Sequence, residues 1–456
     1  MKIAIIGAAG VRTPLILRAI AARQTRINLD ELALMDIDSE RLNLIGVLTS
    51  PFEKSPDIKF QITRTTNAKQ ALTAADFVIT TFRVGGIESR VIDERVPLNF
   101  NILGQETTGP GGFAMGMRSI PVLLEYVKLM YEVCPNAWLI NFANPAGMLT
   151  EAVSKIARWN RAVGICDAPS SMHRVACSIL GAKSDEVYLD YFGLNHLGWI
   201  RKIIYQNRDQ LPKLISLLQA SGGMPGLPFD PEFIASLRMI PNEYLFYYYY
   251  TIQAVNNILH AGESRGEQIA ALNIRLFSQL KEKYEQNDYN GMQDVYQAYL
   301  DQRGDTYMVS ETGKAHDFSS IDSKLMESMS TEGYAGVALD LIEALIGNKA
   351  QVQILNVPNQ GAIIGMESED VVEIPTLVSR DRIQSLAVGE IPGHCLGLIK
   401  QVKEYERLTI EAATEGSYAK ALLALTTHPL LHDYPIAKLI LDEYQHKHGN
   451  YFPQLT

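Results

Sequence analysis

Short apolar runs separated by amphipathic stretches set the rhythm of the first third of the chain. Ile3-Ala4-Ile5-Ile6 stops at Gly7, and Leu32–Met35 stops at Asp36. Phe60–Ile62, Phe77–Thr81, Trp138–Ile140 and Ala162–Ile165 repeat the pattern, each at strand length. Between them, Leu15, Ile16, Leu17, Ile20 and Ala21 recur at helical spacing, and Ile120–Tyr131 and Gly147–Ile156 read as further helices. Strands alternating with helices predict parallel βαβ units and a doubly wound sheet. Ligands of such sheets bind beyond the carboxyl ends of the strands. Here those ends carry Gly7, Asp36, Phe82-Arg83, Asn141–Asn144 and Cys166-Asp167.

The rest of the chain reads differently. From about 205 to 300 the pattern is mainly helical, interrupted by the Pro/Gly-rich stretch Gly222–Pro231. Residues 304–335 are polar and weakly periodic, which predicts a mobile loop or lid. Val337–Ile346 reads as a helix, Val352–Leu355 and Val371–Ile374 as strands, and Ile391–Asn450 as helices. The expected fold class is therefore α/β. A Rossmann-like, doubly wound parallel sheet over 1–165 precedes a mixed, largely helical α+β domain over 166–456, with no linker marking the boundary.

Composition narrows the function. At roughly 150 residues per domain, 456 residues suggest about three units or two large interlocked ones. Hydrophobic residues at 47% and charged residues at 20% fit a soluble globular chain and exclude disorder or a fibrous repeat. A net charge of −10 argues against a general nucleic-acid binder, yet leaves room for a local basic pocket that grips a small anion. No apolar run reaches the roughly 18 residues of a membrane span. Met1–Gly10 lacks the basic flank and cleavage site of a signal peptide, and four cysteines do not make a disulfide framework. The expectation is a reduced, cytoplasmic protein with neither nucleic acid nor membrane as partner.

Gly7-Ala8-Ala9-Gly10 follows a strand and precedes a helix, whose N-terminus offers free N–H groups and positive dipole to a pyrophosphate. Asp36 ends the second strand, where a carboxylate can bind the hydroxyls of an adenosine ribose and would repel a 2′-phosphate. Gly7, Ala9, Gly10 and Asp36 are thus candidates for binding NAD in preference to NADP. The full G-x-G-x-x-G fingerprint is absent, since Ala9 and Arg12 stand at its second and third glycines, and a tight turn without ligand is the alternative. Cys166 and His196 share no metal-binding spacing, so by themselves they read as a buried cysteine and a structural histidine. Asn144-Pro145 reads as turn chemistry, Arg90 as a surface arginine, and Tyr247–Tyr250 as packing.

Several blocks, taken in order, change that balance. They are Phe82-Arg83-Val84-Gly85-Gly86 with Arg90, Gly104–Gly112, Asn144-Pro145-Ala146-Gly147 and Gly164-Ile165-Cys166-Asp167. Gly193-Leu194-Asn195-His196, Pro241-Asn242-Glu243-Tyr244-Leu245 and Tyr405-Glu406-Arg407-Leu408-Thr409 follow. The set resembles family 4 of the glycoside hydrolases, glycosidases that depend on NAD and a metal, from residue 2 to about 450. Within the family it is most similar to the 6-phospho-β-glucosidases. The family's usual Gly-Gly-Gly-Ser turn is Gly-Ala-Ala-Gly here.

The resemblance implies roles residue by residue. Cys166 and His196 fall on ligand positions for a divalent metal, typically Mn²⁺, and two protein ligands leave positions open for substrate oxygens. Tyr244 matches the catalytic base. A phenol with a pKa near 10 needs a nearby cation to serve at neutrality, and the metal and Arg265 are candidates for supplying it. Glu106 matches a position that raises the basicity of this tyrosine, with a helix cap or salt bridge as the alternative. Asn144 is implied to bridge substrate hydroxyls, and Arg90 to contact substrate with a guanidinium suited to phosphate. Arg12, by position, is a second phosphate candidate, and Arg265 joins the substrate-binding set. Asp167 is the candidate general acid. An aspartate there points to α-linked substrates while Gly85-Gly86 points to β, and the β reading is preferred.

The implied chemistry is hydride abstraction from C3 by NAD⁺, removal of the C2 proton by Tyr244, elimination of the C1 group, addition of water, and return of the hydride. The paired carboxylates of most glycosidases are not needed, the NAD-dependent enzymes being an exception to that scheme. The expected partner is a phosphorylated glucoside or disaccharide, and the expected assembly a homodimer or homotetramer. A 6-phospho-α-glucosidase is the alternative within the family. A 2-hydroxy-acid dehydrogenase is a second, although His196 is followed by Leu-Gly-Trp and not by that enzyme's catalytic loop. A non-enzymatic NAD-binding regulator is a third, opposed by Cys166, His196 and Tyr244 standing together.

Overall fold

Lys2–Ile6 (β1) is the third strand from one edge of a sheet whose buried residues Ile3, Ile5, Val78 and Ile140 are at most 2% exposed. This sheet, in a computed structural model that describes residues 1–223, 227–314 and 333–456, has nine strands. Six are the expected apolar runs: β1, Glu31–Met35 (β2), Gln61–Thr65 (β3), Phe77–Thr80 (β4), Trp138–Asn141 (β5) and Ala162–Gly164 (β6). They are parallel, in the order β3-β2-β1-β4-β5-β6, as a doubly wound sheet requires. Burial on both faces explains why all but the edge strand β3 are continuously apolar rather than alternating. Helices Thr13–Ile27, Ser39–Glu53, Gly86–Leu98, Gly109–Val133 and Ala146–Lys155 make the connections.

The second part opens with a hairpin that the hydrophobic pattern did not disclose. Val187–Leu194 (β7) and Leu197–Tyr205 (β8) pair antiparallel, and the short strands Arg208–Asp209 (β9) and Ile240–Pro241 (β10) both pair with β8. Helices dominate from Leu211 to Thr312, as expected. Three later strands, Gln351–Pro358 (β11), Val371–Ser379 (β12) and Arg382–Ser385 (β13), then return to the first sheet and extend it antiparallel beyond β6. The junction is Asn356 opposite Gly164, where a Cβ on Gly164 would lie 2.5 Å from Thr150 Oγ1 and 2.9 Å from Asn356 Cβ. The two parts of the chain thus share one sheet. The expected lid at 304–335 lies largely outside the described residues; up to Lys314 it completes the helix Tyr289–Asp305 and forms the short helix Val309–Thr312.

The C-terminal helices brace the sheet. In Gly393–Glu415, Lys403 is buried between Glu151 and Glu406, and Tyr405 donates to the carbonyl of Gly109 at 3.2 Å. A Cβ on Gly112 would lie 3.3 Å from the Tyr405 hydroxyl and 2.6 Å from the Thr107 backbone, so the glycine-rich helix start allows this close approach. Among the described residues, no helix is long and apolar enough to cross a membrane.

Candidate active site at the carboxyl ends of the parallel strands

Gly7 leaves β1 with φ +97°, and a Cβ there would lie 2.5 Å from the backbone nitrogen of Phe82. Only glycine fits that approach. The loop is tied to the end of β2: Gly7 and Ala8 N–H both donate to the Met35 carbonyl at 2.9 Å. Asp36 accepts from Ala9 N–H at 2.9 Å and from Asp38 N–H at 3.0 Å. Its carboxylate is therefore fixed in orientation, with acceptor capacity left for a ribose. Ile37 beside it is 82% exposed, an apolar face that a purine can cover and one the sequence analysis did not single out.

Cys166 ends β6 as the N-cap of helix Asp167–Leu180, and His196 forms the tip of the two-residue turn between β7 and β8. Both are buried. His196 holds a left-handed backbone, φ +62°, a conformation that costs on the order of 1 kcal/mol or more for a residue with a Cβ. Its tautomer follows from its neighbours. Thr107 Oγ1 donates its one proton to Gln105 Oε1 at 2.9 Å and lies 2.9 Å from His196 Nδ1. With the hydroxyl proton on Gln105, the hydroxyl accepts from Nδ1–H, the tautomer that leaves the Nε2 lone pair for a metal. Burial draws the imidazole down to about 4 against the pull of Asp167 and Glu106, so the ring is neutral, as a metal ligand must be. Burial, Glu373 and Asp167 push the Cys166 thiol up, the tendency that a bound cation reverses. Among the described residues, no group of three or more His, Cys, Asp or Glu side chains is arranged to hold a metal. The pair is not a closed protein cage.

Tyr244 lies flat on His196, ring centroids 3.7 Å apart and planes 6° from parallel. It comes from the turn Glu243–Leu245 just after β10, where Asn242 Oδ1 accepts Tyr244 N–H at 3.0 Å. Burial, Glu243 and Cys166 push its phenol well above the usual range, so a cation is needed before it can act as a base. Asn144 follows β5 in the segment that leads to Gly147, where a Cβ would meet Asn195 Cβ at 3.3 Å; the loop abuts the His196 turn.

Glu106 is brought to two arginines: it pairs with Arg83 and, at 3.1 Å, with Arg90. Burial opposes its charge, but Arg90 and Arg83 overcome that and draw the carboxyl to about 2. The salt-bridge alternative raised for Glu106 therefore describes its contacts. Arg90 is not at the surface. It is buried, and Glu94, at 2.8 Å, shares it with Glu106.

Arg265 begins the helix Arg265–Glu285 and donates to the carbonyls of Arg303 at 2.7 Å and Thr306 at 3.0 Å. Arg303 donates to the Tyr299 hydroxyl at 2.8 Å. Neither has a carboxylate partner among the described residues. Burial and the charges of Arg303 and Arg90 pull Arg265 below the guanidinium range; burial, Arg12 and Arg90 do the same to Arg303. Mutually repelling buried cations mark a place for an anion. Arg303 was missed because nothing in its local sequence distinguishes it. Arg12 lies 3.8 Å from Asp167, linking the first loop to helix Asp167–Leu180.

Two carboxyls were also missed. Glu373 on β12 accepts from Tyr191 at 2.7 Å, Asn356 at 3.0 Å and Asn195 at 3.3 Å, bracing the turn one residue from His196. Burial holds it up to about 7 despite these donors. Glu243 accepts from the Tyr307 hydroxyl at 2.8 Å, and burial lifts it to about 7. A cavity of about 560 Å³ opens on Arg12, Asp167, Glu243, Tyr244 and Tyr307.

Comparison with known proteins finds a family and several relatives over the whole chain. The model of the family 4 glycosyl hydrolases matches residues 2–181, and that of the family's C-terminal domain matches 191–431. A probable 6-phospho-beta-glucosidase of Bacillus subtilis (strain 168) is 32% identical over all of this chain and 98% of its own length. The 6-phospho-beta glucosidase of Thermotoga maritima, solved with manganese, NAD⁺ and glucose-6-phosphate, superposes with a TM-score of 0.83 at 29% identity, covering both chains fully. A 6-phospho-alpha-glucosidase from gut microorganisms, solved with NAD and Mn²⁺, gives 0.81 at 26% identity over 100% of this chain and 99% of its own.

Proposed function

The chain belongs to family 4 of the glycosyl hydrolases, and from that premise we propose that it is a 6-phospho-β-glucosidase using NAD and a divalent metal, with manganese as the candidate. The observation that carries the reading is Tyr244 stacked on the buried His196, whose Nδ1 lies 2.9 Å from Thr107 Oγ1, within electrostatic reach of Cys166. Cys166 and His196 would hold the metal, and Gly7, Ala9, Gly10 and Asp36 the dinucleotide. When bound, NAD⁺ supplies a hydride acceptor for C3 of the sugar, and the metal supplies Lewis-acid polarisation of its oxygens.

The chain's own residues do the rest. Thr107 fixes the His196 ring through the hydrogen bond between its hydroxyl and Nδ1. Tyr244 removes the proton from C2, its phenol brought toward that task by positive charge beside it. Asn144 orients sugar hydroxyls. Arg265 and Arg303 receive the 6-phosphate, whose charge relieves their repulsion, with Arg90, already paired to Glu94 and Glu106, behind them. Asp167, at the wall of the cavity, faces the departing C1 group. Glu106 keeps Arg83 and Arg90 in place.

Similarity to β-acting relatives over the full length supports the β anomer. So does the Arg83-Val84-Gly85-Gly86 element, where a Cβ on Gly85 would fall 1.9 Å from Ser89 Oγ and both glycines have positive φ. A homodimeric or homotetrameric assembly in the cytoplasm belongs to the same proposal.

The test is isotopic. Turnover of p-nitrophenyl β-glucoside 6-phosphate in D₂O, with NAD⁺ and Mn²⁺, is expected to place deuterium at C2 of the released glucose 6-phosphate. Tyr244→Phe is expected to abolish that exchange while sparing NAD⁺ binding. Product with hydrogen fully retained at C2 would overturn the mechanism, and faster turnover of the α-linked isomer would overturn the anomeric assignment.

A further inference from the structure

The cavity beside Tyr244 continues well past the catalytic side chains, and its walls change character as it does so. Helix Asp167–Leu180 turns one face to it, with Met172, Val175 and Ile179 following Asp167 at helical spacing. Helix Leu211–Ser221 faces it with Leu214, Leu217 and Leu218, an i, i+3, i+4 stripe. From Ala168 to Ile179 this wall runs about 16 Å at 1.5 Å per residue, several times the width of one sugar ring. Ile179 and Leu217 are about half exposed at its outer end, at 48% and 51%.

Polar groups are concentrated at the inner end, in Arg12, Asp167, Glu243 and Tyr307. Along the two helical walls the side-chain hydrogen-bonding groups are the hydroxyls of Ser171 and Ser221. A second sugar seated there would lose hydration from several hydroxyls and find few partners, a net cost. An aryl or alkyl group would gain from the same burial. The apolar stretch is also continuous with the side chains assigned to the leaving-group side of C1, so its occupant is covalently placed by the substrate.

We propose that this cavity is a leaving-group site for an apolar aglycone, aryl or alkyl, and that the enzyme prefers such β-glucoside 6-phosphates over phosphorylated disaccharides. The proposal rests on the 6-phospho-β-glucosidase reading and adds the class of aglycone to it.

The test uses methyl, ethyl, n-propyl and n-butyl β-glucoside 6-phosphates, whose leaving alcohols differ little in basicity, so that chemistry at C1 is held nearly constant. Methyl glucoside 6-phosphate turned over only with NAD⁺ and metal reports on the underlying reading. The dependence of kcat/KM on chain length reports on the aglycone site. Complete burial is worth about fourfold per methylene, a ceiling near sixtyfold between methyl and butyl, and the expected ratio is about tenfold or more. Leu217→Ser and Ile179→Ser alter half-exposed side chains and should each pull the butyl-to-methyl ratio toward one. Cellobiose phosphorylated on its non-reducing glucose should trail butyl glucoside 6-phosphate. A flat series with the wild-type enzyme, or a better kcat/KM for the disaccharide, would overturn the proposal while leaving the glycosidase reading intact. Variants that change oligomeric state but keep the wild-type ratio would assign this face to a second copy of the chain and overturn it equally. No turnover of the methyl compound would remove the underlying reading and the proposal with it.

Discussion

Glu106→Gln isolates the electrostatics of the site with little change of shape. In the wild type the carboxylate is shared by Arg83 and Arg90, its side chain is 16% exposed, and its pKa falls from an ordinary 4.5 to about 2. At about 1.4 kcal/mol per unit, that shift corresponds to about 3 kcal/mol of stability carried by the ionised form. A depressed carboxyl pKa stabilises the fold fully above the unfolded value, and the contribution disappears as pH falls through the folded one. The window is therefore pH 4.5 down to about 2. Glutamine mimics the protonated side chain. The variant should be about 3 kcal/mol less stable than wild type at pH 7, and the gap should shrink to roughly half near pH 3. Urea denaturation of both proteins from pH 7 to pH 3 measures it. A variant within about 0.5 kcal/mol of wild type at pH 7, the range of ordinary surface changes, would refute the reasoning. So would a gap independent of pH.

Other expectations test the assigned roles. Cys166→Ser and His196→Ala should each abolish metal-dependent turnover while circular dichroism shows the fold retained; activity restored by added Mn²⁺ would contradict the ligand assignment. Thr107→Val removes the acceptor that sets the His196 tautomer and should weaken Mn²⁺ binding by about ten- to a hundredfold, read by titration calorimetry. An unchanged affinity would show that the ring is held some other way. Arg303→Ala should raise KM for the phosphorylated glucoside with little change in kcat, and an unaltered KM would exclude it from the phosphate subsite.

What the sequence disclosed, and what it did not, divides along the range of the interactions. Five of the six parallel strands were legible because they are buried on both faces and so read as unbroken apolar runs, whereas the edge strand β3, Gln61–Thr65, is largely polar and only half-buried. The hairpin β7–β8 was hidden because its alternation is brief: Val187 and Leu189 point inward, then nearly every residue from Tyr191 to Ile200 is buried. Its tip carries His196, so the placement of a metal-ligand candidate was concealed along with the element. The return of β11–β13 to the first sheet was invisible for a different reason. It depends on one close approach, Gly164 to Asn356, between residues almost two hundred positions apart. Tyr405–Thr409 showed itself only as a block within a family resemblance. The structure supplies its physical content, since Tyr405 reaches the Gly109 carbonyl and Lys403 bridges Glu151 and Glu406.

The charge distribution completes the argument. A chain of net charge −10 repels a phosphate dianion at a distance, so affinity for one must be generated locally. Arg90 by itself does not generate it, because Glu94 and Glu106 already neutralise it. Arg265 and Arg303, the residues proposed to receive it, differ: their hydrogen bonds go to carbonyls and hydroxyls, which orient the guanidinia without cancelling their charge. Among the described residues the two kinds of arginine therefore differ: Arg90 is tied into a framework around Glu106, while Arg265 and Arg303 hydrogen-bond no carboxylate and suit the proposed anion. Burial sharpens the contrast, since charges removed from water are screened little by salt. On this proposal an unphosphorylated glucoside would leave Arg303 repelling Arg265, and discrimination against it would follow from that charge as much as from lost contacts.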